Sequence, residues 1–488
     1  MPIHSGDRLP PEDAAFLYLE NKGMPLHIGS VSVLDGAIGF EEYIEFIASK
    51  LPLIRRYRQR LVMPPFQVGH PTWQDDPDFD IRNHIHHARL KRGTMAELQR
   101  LAGRIFGQLM DRDKPLWDLT LVDGLGDGRS AFISRVHHCL VDGVSGVGII
   151  NAMLSPTRET EPIPELEPFE PDPLPSPGES LLDALASSLS DSVQRILSAQ
   201  MAVLNVAETL ISDDVLGSWN QLAALAPELL APVERLPFNQ PVKGARKVAW
   251  AEFAISEVGA IRKTLGGTLN DVVLTALTIA VRRYAELHGQ SMRNRLLRLM
   301  VPVNLRRGEK HHGFGNRVSA MPVNIPLDID DTAQLLNAVR QRTEAMKSAH
   351  VADLIQLSSV WMGIMPAPLQ AMFGSLVAGL TVPAFNMVCT NVPGPRHPLY
   401  LLGREMLTFH PYVPIGGEMG VGFAIQSYNG KLYFGLTADS AAAPDISRLN
   451  EFLEEAFGEL RRAAGIEPVA IKEEEVLALR QSSVTLQE

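Results

Sequence analysis

The sequence predicts an α/β protein of two subdomains, and three observations carry that expectation. The chain has 488 residues, more than one ordinary core serves. Segments of strand character alternate with segments of helical periodicity in two separate blocks. Between the blocks, Pro156 to Pro177 is rich in Pro and Glu and has no hydrophobic periodicity, as an extended solvated linker would. The expected division is a first subdomain at 1–155, a crossover linker at 156–180, a helical connector at 181–236, a second subdomain at 237–466 and a polar tail at 467–488.

In the first block, Pro10-Pro11 suits a helix start, because a first-turn proline gives up an N–H that has no partner anyway; the helix is read from Glu12 to Asn21. His27 to Gly36 alternates apolar and small polar residues and ends at Asp35-Gly36, a strand and turn. Glu41 to Leu51 gathers Tyr43, Ile44, Phe46 and Ile47 on one side of a helix. Leu119 to Gly124 and Ala131 to Val136 read as strands, and Gly143 to Leu154 as a helix packed on them. Leu181 to Leu216 spaces Val193, Ile196, Leu197, Met201, Leu204 and Leu210 as one helical face, packed on the second block or lying on a lipid surface.

The second block opens with a strand at Val248 to Ile255, followed by a helix at Leu269 to Leu287 headed by Asn270-Asp271. Further strands are read at 297–303, 317–325, 385–390, 420–427 and 431–438, and an amphipathic helix at Ile446 to Ala464.

Composition narrows the function. Hydrophobic content of 45% with 21% charged residues is that of a soluble globular chain. A net charge of −11 lacks the basic footprint that nucleic acid requires, and gives no bulk attraction to acidic head groups. Two cysteines, Cys139 and Cys389, imply no disulfide framework and fit a reducing compartment. The first residues lack the apolar core of a signal peptide, so export is not expected. Leu354 to Pro395 carries no charged residue and is long enough to cross a bilayer. Pro366, Pro368 and Pro383, Gly363, Gly374 and Gly379, and the polar Gln370, Asn386 and Asn391 interrupt it, so buried core plus loop is expected; a lipid-facing surface helix around Pro368 to Leu380 is the alternative.

The chemistry concentrates in Val136-His137-His138-Cys139-Leu140-Val141-Asp142-Gly143. Histidine, with an ordinary pKa of about 6.5, can take up and return a proton near neutrality. Side chains alternate along a strand, so His137 and His138 point to opposite sides, one toward a cavity and one into the protein. Asp142 can orient a ring, or pair an Arg and hold the turn, and Gly143 suits a turn where a side chain would crowd. Two other pairs, His86-His87 and His311-His312, lie in polar sequence with no Asp-Gly following. Cys139 is expected on the buried side and inert rather than as a nucleophile. The chain has no Gly-x-Ser-x-Gly elbow, no zinc-spaced Cys/His set and no phosphate-binding glycine loop, which lowers covalent hydrolase, metal and nucleotide chemistries.

His137-His138-x-x-x-Asp142-Gly143 is the HHxxxDG signature of the coenzyme A-dependent acyltransferase superfamily. Further stretches, in order along nearly the whole chain, resemble the bacterial wax ester synthase/diacylglycerol acyltransferase family: Pro25-Leu26-His27-Ile28-Gly29, Pro115-Leu116-Trp117, Leu269-Asn270-Asp271-Val272-Val273-Leu274, Val301-Pro302-Val303-Asn304-Leu305-Arg306, Gly315-Asn316, Asn391-Val392-Pro393-Gly394-Pro395 and Ser427-Tyr428-Asn429-Gly430.

The resemblance implies two chloramphenicol acetyltransferase-like subdomains with an active-site tunnel at their interface, and residues 354–395 along the acyl or acceptor route. It makes His138 the proton acceptor, with His137 and Asp142 supporting and Gly143 in the turn; Asn270 and Asp271 come close to substrate, Asn270 as the first candidate for the oxyanion. From the residues alone, Asn270 is equally a helix cap, and Ser427 and Tyr428 are either oxyanion donors or half-buried strand residues.

The implied reaction moves a long-chain acyl group from acyl-coenzyme A, a co-substrate, to diacylglycerol or a fatty alcohol, without metal or other cofactor. The implied location is cytoplasmic, with peripheral contact to membrane or lipid droplets. Two alternatives stand beside it: a superfamily enzyme using a carrier-protein-bound donor or another acceptor, and a non-catalytic lipid-binding protein of the same fold.

Overall fold

The computed structural model describes residues 8–65, 69–140, 152–160, 163, 169–174, 176, 178, 231–304, 318–348, 369 and 384–467. The helix expected at 181–216, nearly all of that expected at 143–154, and most of 354–395 therefore lie outside the described residues.

The first block folds as α1 (Pro11–Leu19), β1 (His27–Leu34), α2 (Phe40–Lys50), β2 (Gln59–Val62), β3 (Thr72–Asp75), β4 (Ile85–Arg89), α3 (Met95–Phe106), β5 (Trp117–Asp123) and β6 (Ser130–His137). A single turn of 3-10 helix, His138–Leu140, follows β6 directly. The second block contributes β7 (Arg246–Ala254), α4 (Ile255–Leu265), α5 (Leu269–Leu287), β8 (Leu296–Asn304), β9 (Val318–Pro326), α6 (Thr332–Ser348), β10 (Met387–Val392), β11 (Tyr400–Leu401), β12 (Arg404–Tyr412), β13 (Val421–Tyr428), β14 (Lys431–Asp439) and α7 (Ile446–Ala464).

Two mixed six-stranded sheets result, ordered β11-β12-β1-β6-β5-β4 and β7-β14-β13-β10-β8-β9, with β2 and β3 a separate hairpin. The chain thus builds a similar α/β unit twice. The units exchange material: β11 and β12 come late in the sequence yet complete the first sheet, where β12 pairs antiparallel with β1 in the register Gly29↔Tyr412. The boundary read at position 237 is crossed by this return.

Helix α5 follows the apolar pattern read from the sequence, residue for residue, and is buried from Asp271 to Arg282. It forms the centre of the second core with Leu297, Leu299, Phe423, Phe434 and Phe457. A helix buried all round is stabilised by packing rather than by an amphipathic face. Its N-cap is Thr268, not Asn270. Thr268 Oγ1 accepts the Asp271 N–H at 3.2 Å, and the Asp271 carboxylate takes the Thr268 N–H at 2.7 Å, a reciprocal capping box.

The units are joined in the interior by Arg246. Its guanidinium pairs with Asp439 at 3.2 Å, both side chains wholly buried, and donates to the carbonyls of Gly23 and Ile415 at 2.9 and 3.2 Å. Removing one partner of such a pair strands a buried charge. Among the described residues no single helix is long and apolar enough to cross a membrane; α4 and α5 together have the length, but they meet at 95°.

Candidate active site

The site is built around the end of β6. In the antiparallel pairing of β1 with β6, His27 stands opposite His137, which puts both imidazoles on one face of the sheet. The His137 N–H donates to Leu116 O of the Pro115-Leu116-Trp117 segment at 2.9 Å, and the His138 N–H donates to Leu26 O at 2.9 Å. Two of the ordered sequence stretches thus serve as the main-chain rails that hold the histidine pair. Gly29 is required on the same strand: a Cβ there would lie 2.3 Å from Ser134 O and 2.7 Å from the Phe106 ring.

His137 is wholly buried. Its Nδ1 accepts the Cys139 N–H at 3.2 Å and lies 2.9 Å from Cys139 Sγ, so the ring proton of the neutral form belongs on Nε2. Nε2 in turn sits 3.3 Å from Glu20 Oε1, off the direction of a straight hydrogen bond, so the pairing is chiefly electrostatic.

Glu20 was not among the residues singled out from the sequence. Its carboxylate, buried at the end of α1, takes the Leu26 N–H at 2.8 Å on Oε1 and the Arg112 guanidinium at 2.9 Å on Oε2. Burial alone would raise its pKa, but the pairing with His137, the Leu26 N–H and Arg112 together hold it down to about 2. Glu20 therefore braces His137 directly and His138 indirectly, since Leu26 carries both the N–H that Glu20 accepts and the carbonyl that holds His138. The only sequence signal was a carboxylate closing an apolar helix just ahead of Pro25-Leu26-His27; its partners are remote in the chain.

His138 is the first residue of the 3-10 turn that follows β6, and it is half-buried. Burial pushes its pKa down to about 4, opposed by a hydrogen bond from the ring to its own main-chain carbonyl and assisted by the neighbouring His137. Only Nδ1 can reach the residue's own carbonyl, so in the neutral ring the proton-accepting nitrogen is Nε2. Phe16 of α1 stacks on the ring with centroids 3.8 Å apart. Cys139 is buried, and burial pushes its thiol well above the ordinary value. It turns inward because the chain enters a 3-10 turn at His138, not because of strand alternation. Asp142 and Gly143 lie outside the described residues.

On the second unit, Asn270 and Asp271 occupy the second and third positions of α5 and have separate tasks. Asp271 is consumed by structure: beyond the capping box, its Oδ1 accepts the Thr343 hydroxyl at 2.7 Å. Asn391 Nδ2 donates to Asn270 Oδ1 at 3.4 Å, which brings two motif residues together at the end of β10 without using the Asn270 amide hydrogens. Ser427 Oγ accepts the Gly394 N–H at 2.9 Å, holding the Asn391–Pro395 turn against β13. Tyr428 is buried and its hydroxyl bridges the Leu399 N–H and Met406 O, both at 2.8 Å. Ser427 and Tyr428 thus act in this structure as braces of the turn and of β12.

Comparison with known proteins agrees with this arrangement. The catalytic-domain model of the wax ester synthase/diacylglycerol acyltransferase family matches residues 9–273, and the family's C-terminal domain model matches residues 314–461. A Mycobacterium tuberculosis protein named as a probable diacylglycerol O-acyltransferase, tgs1, is 28% identical over 97% of this chain and 98% of its own. A second, tgs2, is 29% identical over 94% of this chain and 100% of its own. Among solved structures, the wax ester synthase/diacylglycerol acyltransferase of Marinobacter aquaeolei VT8 superposes with a TM-score of 0.64 at 23% identity, covering 94% of this chain and 100% of that one. The first condensation domain of the calcium-dependent antibiotic synthetase shares the fold at a TM-score of 0.56 and 14% identity, covering 97% of this chain and 98% of that one. The fold is accordingly the two-unit chloramphenicol acetyltransferase-like arrangement. The chain belongs to the wax ester synthase/diacylglycerol acyltransferase family and is an acyltransferase of lipid acceptors.

Proposed function

We propose that this enzyme transfers a long-chain acyl group from acyl-coenzyme A to the hydroxyl of a diacylglycerol or a fatty alcohol, with His138 as the proton acceptor. The observation that carries the reading is the placement of that imidazole at the end of β6: half-buried, anchored through its main-chain N–H on Leu26 O at 2.9 Å and stacked by Phe16, with burial lowering its pKa to about 4 so that it is neutral at pH 7. As the acceptor oxygen attacks the thioester carbonyl, its proton passes to His138 Nε2. Collapse of the tetrahedral intermediate breaks the carbon–sulfur bond, and the proton returns to the leaving coenzyme A thiolate. The thioester is already activated, so no acyl-enzyme, metal or further cofactor is called for. The amide of Asn270, oriented by Asn391, is the donor we assign to the developing oxyanion. His137 and the motif residues Asp142 and Gly143 support the base rather than react.

Both acceptor classes dissolve in lipid rather than water, so we further propose a cytoplasmic enzyme in peripheral contact with membrane or lipid droplets. Its support is the chemistry of the acceptors, since the net charge of −11 supplies no attraction to acidic head groups. Flotation with vesicles containing diacylglycerol, against vesicles lacking it, tests that contact.

The catalytic reading is tested by coenzyme A release from palmitoyl-coenzyme A with hexadecanol and with a diacylglycerol, each run also with His138→Ala. Release with at least one acceptor, abolished in the variant, is expected. No release with either acceptor by the wild-type protein would point to a carrier-bound donor or another acceptor.

A further inference from the structure

We infer that Phe16 is a positioning residue for the reaction: from α1 it lies face-on against the His138 imidazole, sets the plane of the ring and supports the charge the ring acquires. The centroids are 3.8 Å apart and the planes 11° from parallel. Two neutral aromatic rings prefer an offset or edge-on arrangement. This pair is a near-parallel stack at van der Waals contact, which suits the neutral ring and also the ring once it becomes a cation, because the negative π face of Phe16 then meets the positive imidazolium.

The rest of the surroundings make the contact deliberate in physical terms. His138 sits where β6 ends and a 3-10 turn begins, so the strand no longer dictates its side-chain direction. The bond to its own carbonyl limits rotation of the ring but contributes nothing on its faces. Helix α1 adds a constraint on one face of the ring through Phe16, and α1 is itself anchored: Ala14 and Leu17 are buried in the first core, and Glu20 at its end is clamped to Leu26 and Arg112. Phe16 packs against the same core while remaining half-buried. One short helix therefore braces both members of the histidine pair, His137 through Glu20 and His138 through Phe16.

The inference rests on His138 being the proton acceptor, and the test separates the two claims. Coenzyme A release is measured for Phe16→Leu, Phe16→Tyr, His138→Ala and an isosteric replacement of Phe16 by pentafluorophenylalanine, whose ring face is positive. Phe16→Leu is expected to lower kcat about 3- to 10-fold while KM for acyl-coenzyme A stays within about twofold, and Phe16→Tyr to restore kcat. The fluorinated ring, which keeps the shape, is expected to lower kcat by a similar factor with Tm unchanged. If Phe16→Leu fails to fold, the fluorinated variant alone decides. Wild-type kcat in the fluorinated variant, or an equal loss in Phe16→Leu and Phe16→Tyr, overturns the inference. Full activity in His138→Ala instead overturns the underlying reading of the base.

Discussion

The two sheets differ in what they bury. The second core is apolar around α5, and that helix's polar residues serve structure: Thr268 and Asp271 close the capping box, Thr275 and Thr278 bond back to the preceding turn at 2.7 Å, and Asp271 and Arg282 reach Thr343 and Ile329 O on neighbouring segments. The first unit buries chemistry. His27, Ser30, Ser134, Arg135 and His137 lie within its sheet, with Arg135 Nε donating to Asp118 Oδ1 at 2.9 Å. Burying polar groups costs free energy unless each is partnered. The second unit buries polar groups too, but in structural pairs such as Arg246 with Asp439, Asn239 with Asn386 and Asp271 with Thr343; the first buries the histidines that the reaction uses, and holding them still costs it stability.

The sharpest way to break this contrast is to remove the base. His138→Ala should lower kcat/KM for coenzyme A release by about 10²- to 10⁴-fold, since that is what a positioned proton acceptor contributes. Thermal denaturation should show the variant folded.

Glu20→Ala comes next and should harm both activity and stability. It strands the Leu26 N–H and leaves buried His137 Nε2 facing no carboxylate, at a cost of about 1–3 kcal/mol in urea denaturation. Glu20→Gln keeps an acceptor for Leu26 and should recover part of that loss.

Acid should expose the first unit's cost. Burial pushes His27 well below its ordinary value, His138 to about 4 and His410 to about 3. Their folded pKa values lie below the unfolded ones, so between the two the unfolded chain binds more protons. Stability therefore falls as the pH drops below about 6.5, by up to about 1.4 kcal/mol per pH unit for each group. Glu20 adds its own loss only lower, as the pH falls from its unfolded value toward about 2. His410→Leu should flatten the upper part of this slope by one proton, read from urea denaturation at pH 5 and pH 7.

The smallest effect belongs to the scaffold. Thr268→Ala removes the cap of α5 and should cost about 1 kcal/mol by urea denaturation, with no change in the pH dependence of stability.

Much of this contrast was legible in the sequence, and the illegible part has a physical pattern. The extent of α5 could be read because the helix satisfies its own backbone and its apolar residues sit at helical spacing. Its cap was misread, since Asn270 is a good capping residue by type but Thr268 is the one at the right offset. The strand Arg404–Tyr412 was missed: its partner β1 lies far away in the chain, and Pro411 argues against a central strand. Of the site, His137, His138, Asn270 and Asp271 stood out by motif. Glu20 and Phe16 did not, because a brace is defined by what it touches, and α1 meets β6 only after the sheet has formed.

The central claim is that His138 takes up the acceptor's proton from a neutral, desolvated state, and the pH dependence of kcat/KM for coenzyme A release tests it most directly. With stability controlled by returning samples to pH 7, the account predicts an acid limb that falls to half near pH 4. An acid limb at pH 6.5 or above would contradict it.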